Sequence, residues 1–263
     1  MNLVTEEDFI NTYKLRPCAD RALKECSSWF PIKTSPLLAE IVASLLTDGF
    51  IDIRDTKDGR KYSYLGFFSK SDEELEEFNE KIQAIFGVKG KIREWGVREY
   101  GHSKGCIVLN SKVTRIISLC GAIGGRKTDK EYSIPSWVSA GNEKIKKAFL
   151  MKSFDCEGAV SSSERNGSEI VYLMYKRKEL EENLLSYLEQ MGGLLKEYEI
   201  ETLIYKKEEY YRKNNVEMIG YCLKIRRQKG IVNFSKHFGF GIKRKSAKLK
   251  EIAESITLKN HTA

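Results

Sequence analysis

Two acids stand in matching places along this sequence. Asp48 closes the stretch LLAEIVASLLTDG and Glu157 closes KAFLMKSFDCEG, 109 residues further on, and a glycine follows each, Gly49 and Gly158. The apolar run before each acid reads as a helix, so each carboxylate falls at a helix C-terminus, where the peptide dipoles already gather about half a negative charge and another anion is disfavoured. Two such acids brought together would repel one another unless a divalent cation lay between them. Carboxylate oxygens are hard ligands and select Mg2+ or Mn2+ over softer ions. Taken singly, Asp-Gly and Glu-Gly are ordinary helix stops. Their recurrence in the same context is what points to chemistry.

The elements that carry these acids can be read around them. Ser35 and Pro36 suit the N-cap and first position of a helix, and Gly49 suits the residue past its end. Ala39, Ala43 and Thr47 recur every four positions, which puts small side chains on one face and invites a second helix to approach closely. The second stretch repeats the plan: Ala148 answers Ala39, Cys156 answers Thr47, Glu157 answers Asp48 and Gly158 answers Gly49. Lys152 breaks it, standing where the first stretch has Ala43, and the expectation is that it reaches solvent from the edge of the contact.

With those residues in view, IVASLLTDG and LMKSFDCEG resemble the two motifs of a single-chain, double-motif LAGLIDADG homing endonuclease. The resemblance implies that the two helices pack along their small residues and that Asp48 and Glu157 sit side by side as metal ligands, with Gly49 and Gly158 beside them. It also implies a catalytic part for Lys127 and Lys245, whose matching RKT and RKS contexts resemble the basic residues this family keeps near the scissile phosphates.

Composition narrows the alternatives. The chain has 263 residues, 41% of them apolar, enough for ordinary cores, and no apolar run reaches the ~18 residues that span a bilayer. The start, MNLVTEEDF, has neither the basic flank nor the apolar segment of a secretion signal. The expectation is an intracellular protein, of a prokaryotic cytoplasm or an organelle. Cys18, Cys26, Cys106, Cys120, Cys156 and Cys222 form no CxxC pair, so neither zinc nor disulfides are expected. The net charge of +8 suits a polyanion, and from Lys224 to Lys250 there are ten Lys or Arg and no acid.

Between the motifs the pattern alternates. Strands are expected over Phe50–Arg54 and Lys61–Ser69 around an Asp58-Gly59 turn, then a helix over Asp72–Phe86 capped by Ser71, strands over Lys89–Val97 and Gly105–Leu109, and a helix over Lys112–Leu119. The second half repeats this with strands Gly158–Ser163 and Glu169–Tyr175 around Asn166-Gly167, a helix Lys178–Met191 ending at Gly192-Gly193, strands Leu195–Tyr205 and Met218–Arg226, and a helix near Val232–Phe238. The expected fold class is therefore α+β: two pseudo-symmetric halves, each an antiparallel sheet with helices, packed through two central motif helices into a DNA-binding saddle. Its domains are an N-terminal helical segment over 1–34, a first half over 35–127, a linker over 128–141 and a second half with a basic tail over 142–263. The segment 1–34 reads as a packing element, the alternative being a DNA-contacting arm using Lys14, Arg16, Arg21 and Lys24.

A two-stranded β-ribbon fits the DNA major groove, so the candidate DNA contacts are the polar residues alternating on the exposed strand faces. In the first half these are Asp52, Arg54, Lys61, Ser63, Lys89, Lys91, Arg93 and Trp95; in the second they are Ser161, Ser163, Arg165, Tyr172, Lys224 and Arg226, with Lys243 and Arg244 in the tail. Glu197, Glu199 and Glu201 alternate on an expected strand and would repel phosphate there. The reading as a whole is a monomeric, Mg2+- or Mn2+-dependent endonuclease cutting double-stranded DNA at a long, partly symmetric site. The alternative is a relative that does not cut, an RNA maturase or a DNA-binding regulator, or a basic protein-interaction domain whose acids are helix stops.

Overall fold

The chain runs twice through one sequence of elements. The computed structural model describes residues 1–55, 61–98, 101–163 and 167–261. They divide into two compact units, Met1–Arg126 and Lys127–Ala263. In the first, helix α3 (Pro36–Leu46) leads into β3 (Gly49–Asp55) and β4 (Lys61–Ser69), then α4 (Asp72–Phe86), β5 (Lys91–Arg98), β6 (Gly101–Val108) and α5 (Ser111–Leu119). In the second, a short α6 (Ser136–Ser139) precedes α7 (Glu143–Glu157), β7 (Gly158–Ser163), β8 (Gly167–Arg177), α8 (Glu181–Lys196), β9 (Leu203–Tyr211), β10 (Glu217–Ile225) and α9 (Gln228–His237), and a last helix, α10 (Lys243–His261), follows. Each unit holds a four-stranded antiparallel sheet, ordered β3-β4-β6-β5 and β7-β8-β10-β9. The α+β class and the paired halves expected from the repeat are both present. The Asp58-Gly59 turn and Asn166 lie outside the described residues.

Each sheet buries one face on its helices. Ile51, Leu65 and Phe67 alternate onto the core side, and the Phe67 ring stacks on Phe78 of α4 at 5.2 Å. Leu75, Phe78, Ile82 and Phe86 of α4 recur at Leu184, Tyr187, Met191 and Leu195 of α8, so one apolar stripe serves both halves.

The N-terminal segment is a packing element of the first unit. The helical segment expected here holds two helices, α1 (Glu6–Ile10) and α2 (Arg16–Cys26), with a two-stranded ribbon of β1 (Asn2–Val4) and β2 (Ile32–Lys33). Thr5 and Asp8 form a capping box that starts α1. Arg115 of α5 is buried; it donates to the Thr12 carbonyl at 2.6 Å and lies over the Tyr13 ring at 4.1 Å. Lys112 pairs with Glu25 at 2.6 Å. Lys14, Arg16, Arg21 and Lys24 remain exposed around this seam.

In the second half several boundaries move, most of all between α8 and β9. α8 does not stop at Gly192-Gly193 but continues to Lys196, and the strand expected from Leu195 begins only at Leu203. Two helical glycines cost about 1 kcal/mol each, while burying a leucine returns about 1.5 to 3 kcal/mol, and both Leu194 and Leu195 are buried. At Gly192 the helix passes close to Thr202, whose Oγ1 would stand 2.7 Å from a Cβ there. Glu197, Glu199 and Glu201 thus lie in the connection between α8 and β9, with Glu199 in the left-handed region at φ 58°, and no acidic strand face exists at these positions.

Residues 128–134 are held to the second unit through side chains of its sheet and of α8. Asn183 exchanges hydrogen bonds with the Tyr132 backbone at 3.2 Å, and Gln190 accepts from Ile134 N at 3.0 Å. Asp129 pairs with Arg177 and Arg212. Among the described residues no helix is long and apolar enough to cross a membrane.

Candidate active site

Asp48 is exposed in the two-residue step from α3 to β3, and Glu157 is the half-buried last residue of α7, directly before β7. The helices that deliver them are built alike. Ser35 accepts from Leu38 N at 3.2 Å and Asn142 accepts from Ile145 N at 3.1 Å, so an N-cap side chain starts each. Ser44 and Ser153, also 109 residues apart, are both buried and donate back to the carbonyl four residues earlier at 2.8 Å. This matched serine pair escapes the reading of small residues because its spacing is the repeat, not the helix turn. Ala39, Ala43, Thr47 and Ala148 are buried.

The glycines after the acids serve a different purpose from the expected left-handed helix stop. Gly158 is extended, at φ −88°, and neither glycine has positive φ. A Cβ on Gly158 would stand 2.3 Å from the Phe154 carbonyl oxygen, and one on Gly49 would stand 2.9 Å from the Gly66 carbonyl oxygen. In the second unit helix turns directly into strand, and in the first only Thr47 and Asp48 lie between them. Gly49 pairs with Phe67 and Gly158 with Tyr172 in the sheets, which fixes the backbone beside each acid on both sides.

The second acid has a built surround. Lys245 of α10 donates from Nζ to the carbonyls of Asp155 at 2.5 Å and Gly158 at 2.6 Å, placing a cation on the last carbonyls of α7. Lys245 is thus a half-buried cap beside Glu157, and the Gly158 oxygen, an expected metal neighbour, already accepts one hydrogen bond. Asp155 is buried and accepts from Gly241 N at 2.9 Å, which ties the GFGIKRK segment to α7. Burial raises the Asp155 pKa, while the Lys152 charge and the amides of Ile242 and Gly241 oppose that rise. Lys152 is therefore not the solvent-reaching misfit expected of it: it is only 5% exposed, three residues from Asp155, whose carboxylate its charge stabilises. The repeat contains the signal, since Asp155 stands at the place of Leu46 just as Lys152 stands at that of Ala43, two opposite charges one helical turn apart. In the first unit the corresponding exit is held differently, by Gly125 N donating to the Ile51 carbonyl at 2.9 Å. Lys127 is half-buried at the start of a short 3-10 turn, Lys127–Asp129.

Behind Glu157 lies a buried tyrosine cluster. Tyr132, Tyr172 and Tyr187 all have pKa values raised, first by burial and further by the charges around them, that of Glu157 included. Lys176, 0% exposed, donates to the Lys130 carbonyl at 2.7 Å and to Asn183, and sits 3.9 Å over the Tyr132 ring; burial pulls its pKa down to about 8.

The expected DNA-contacting residues divide by burial. Arg54, Lys89, Lys91, Arg93 and Ser161 are exposed, and Asp52 and Trp95 are half-buried on the same outward face of the first sheet. Lys89 lies in the connection before β5 and not in a strand. Asp52 pairs with Arg54, whose hydrogen bond lowers the carboxyl pKa. Lys224 and Arg226 share Glu169, at 3.0 Å and 3.3 Å. Lys243 and Arg244 are exposed in the first turn of α10. Two expectations fail. Ser63 is 7% exposed, because it alternates with Leu65 and Phe67 onto the core face. Tyr172 is 1% exposed, its ring 5.1 Å from Phe154, because β8 turns its even-numbered residues inward. Arg165 and the side chains of Lys61 and Ser163 lie outside the described residues.

Among the described residues no group of three or more His, Cys, Asp or Glu could hold a metal ion. The carboxylates at Asp48 and Glu157 are each of the kind Mg2+ or Mn2+ takes, since such ions keep several waters and take substrate phosphate oxygens beside one or two carboxylates.

Comparison with known proteins agrees with this geometry. Residues 144–239 match the family model described as a LAGLIDADG-like domain. In Methanocaldococcus jannaschii, the chain is 28% identical over 211 residues to the DNA-directed RNA polymerase subunit Rpo1N, covering 72% of this chain and 15% of that protein. It is 27% identical over 248 residues to the tRNA-splicing ligase RtcB of the same organism, covering 88% of this chain and 24% of that protein. The chain thus spans a quarter or less of the length of either relative. Among solved structures, I-DmoI in complex with its target DNA in the presence of Mn superposes with a TM-score of 0.52 at 14% identity, over 76% of this chain and 93% of that one. The homing endonuclease I-WcaI bound to its DNA recognition sequence superposes with a TM-score of 0.50 at 14% identity, over 92% and 97%. Residues 144–239 thus resemble a LAGLIDADG-like domain, and the chain shares the fold of I-DmoI and of the homing endonuclease I-WcaI.

Proposed function

We propose that this protein is a sequence-specific endonuclease of the homing type, which hydrolyses double-stranded DNA as a monomer with Mg2+ or Mn2+. The observation that carries the proposal is the repeated placement of an acid at the junction of a motif helix with the first strand of a sheet, at Asp48 and at Glu157. A purely structural role gives no reason to put a carboxylate at either helix end. In this reading the two motif helices pair, and Asp48 and Glu157 hold the metal near the scissile phosphates. When bound, divalent metal supplies the activated water, the charge neutralisation and the stabilised leaving oxygen that phosphodiester hydrolysis needs. Lys245 steadies the end of α7 and, with Lys127, adds positive charge near the phosphates, while the outward faces of both sheets and the first turn of α10 carry the DNA contacts.

The relatives support the homing character. An RNA polymerase subunit and an RNA ligase have no activity in common, yet a minor part of each resembles this chain. A unit shared on those terms is more simply one that moves between hosts than a part of either host's chemistry. The test is to select duplexes from a randomised library in Ca2+ and then supply Mg2+: the selected DNA should be cut in both strands, and EDTA should stop cutting while leaving a gel-shift complex. Tight binding with no cleavage in Mg2+ or Mn2+ would instead place the protein with the relatives that bind without cutting.

A further inference from the structure

The outward face of the first sheet is largely carbon. Phe50 of β3 stacks on Phe68 of β4 with centroids at 5.3 Å and planes 18° apart, and Trp95 of β5 leans on both rings, at 5.9 Å and 5.3 Å. Tyr64 meets Phe50 edge-on at 5.4 Å, and Tyr62 continues the row, 58% exposed. The backbone is shaped for these rings: a Cβ on Gly66 would meet the Phe50 ring at 2.6 Å, and one on Gly105 would meet the Phe68 ring at 2.8 Å. These side chains alternate with Ile51, Leu65 and Phe67 and so point away from the helices. Arg93 caps the cluster, its guanidinium 5.3 Å over Trp95, and exposed Arg54 and Lys91 lie on the neighbouring strand positions. The second sheet presents a different outward face. There Val171, Leu173 and Tyr175 are interleaved with charge, Glu169 being bridged by Lys224 and Arg226 and Tyr175 donating to Glu208 at 2.6 Å.

We infer that the first half reads thymine-rich DNA through the C5-methyl groups exposed in the major groove, whereas the second half reads through hydrogen bonds and charge. This rests on the proposed DNA-binding function and names the chemistry of one half-site. The ring faces of Phe50, Phe68 and Trp95 offer a base pair apolar contact, with only the Tyr62 and Tyr64 hydroxyls and the Trp95 N–H able to hydrogen-bond, and the thymine methyl is the one apolar group the major groove presents. A basic rim around carbon fits such a groove, with the rings on the methyls and Arg54, Lys91 and Arg93 on the phosphates. A protein partner would be an alternative occupant of an apolar patch, but Arg54, Lys91 and Arg93 outnumber Asp52, which Arg54 pairs, and with the chain's charge of +8 they favour a polyanion.

Deoxyuridine in place of thymidine removes the methyl and leaves every hydrogen-bonding edge intact, so the test needs no change to the protein. Duplexes selected by the full chain from a randomised library in Ca2+ should show thymine enrichment in one half-site. Replacing those thymines by deoxyuridine should weaken binding about fourfold per methyl removed, while the same exchange in the other half-site should change it little. The variant Tyr62→Ser should reduce this sensitivity at an unchanged melting temperature, Tyr62 being 58% exposed, and adding Trp95→Ser should remove most of the rest at a lower melting temperature, since Trp95 packs on Phe50 and Phe68. Equal sensitivity in both half-sites, or none in either, overturns this inference while the endonuclease proposal stands. Enrichment of no duplex at all overturns both.

Discussion

At the scale of single residues the acids depend on their glycines. Because a Cβ on Gly158 would enter the Phe154 carbonyl at 2.3 Å, Gly158→Ala should destabilise the protein by about 1 to 3 kcal/mol, read as a fall in urea midpoint with unchanged slope. Gly193→Ala, in open space within α8, should instead stabilise by up to about 1 kcal/mol, and the pair measured together separates crowding from helix propensity. A harmless Gly158→Ala would mean that helix and strand do not meet as described. The acids themselves were legible in the sequence because their context repeats. The reason for the glycines was not, since a close approach between a residue and the carbonyl four positions earlier leaves no mark on spacing. Ser63 and Tyr172 were misjudged for a related cause: strand period gives two faces but does not say which is inward, and Tyr62 and Val171, their neighbours, are the ones turned outward.

At the scale of elements, helices and strands followed from apolar period and caps, and α4 has the bounds its pattern predicts, Asp72–Phe86. The exceptions are where a local rule met burial, as when α8 ran through two glycines to keep Leu194 and Leu195 inside. Lys176 shows the same conflict in a charge. Its position on β8 alternates with Ile170, Tyr172 and Met174, so the pattern demands an apolar residue, and no sequence signal shows the Lys130 carbonyl and Asn183 side chain that receive its ammonium. Its folded pKa of about 8 lies below the 10.5 of an ordinary lysine, so between those values the unfolded chain binds more protons than the folded one. Stability therefore rises with pH across that window, the burden of the buried charge being fully present below pH 8 and relieved above it. Urea unfolding at pH 7.5, 8.5 and 9.5 should show the native protein gaining on Lys176→Met as pH rises; parallel pH dependences would mean that Lys176 titrates as an exposed lysine does.

For the whole molecule, the repeat made the architecture readable, because a plan found in one half could be checked in the other. Departures from the repeat are what distinguish the halves: Lys152 with Asp155, the Lys245 cap, and α10. Lys243 and Arg244 sit in the first turn of α10, where the helix dipole disfavours cations. Changing both to glutamine should reduce the slope of log K against log salt for DNA binding by about 1.8. An unchanged slope would remove this turn from the interface.

The central claim is that Asp48 and Glu157 together make the cutting centre. Asp48→Asn and Glu157→Gln keep side-chain shape and remove one charge each, so both units should fold and DNA should still be bound, more tightly if anything once repulsion from phosphate is relieved. The direct measurement is cleavage of supercoiled plasmid carrying a selected site in Mg2+, scored for nicked and linear product beside a gel shift in Ca2+. Each single variant should lose linear product, with slow nicking the most that remains, and the double variant should give neither product while shifting the DNA at least as well as the native protein. Linear product from the double variant at the native rate would contradict the account.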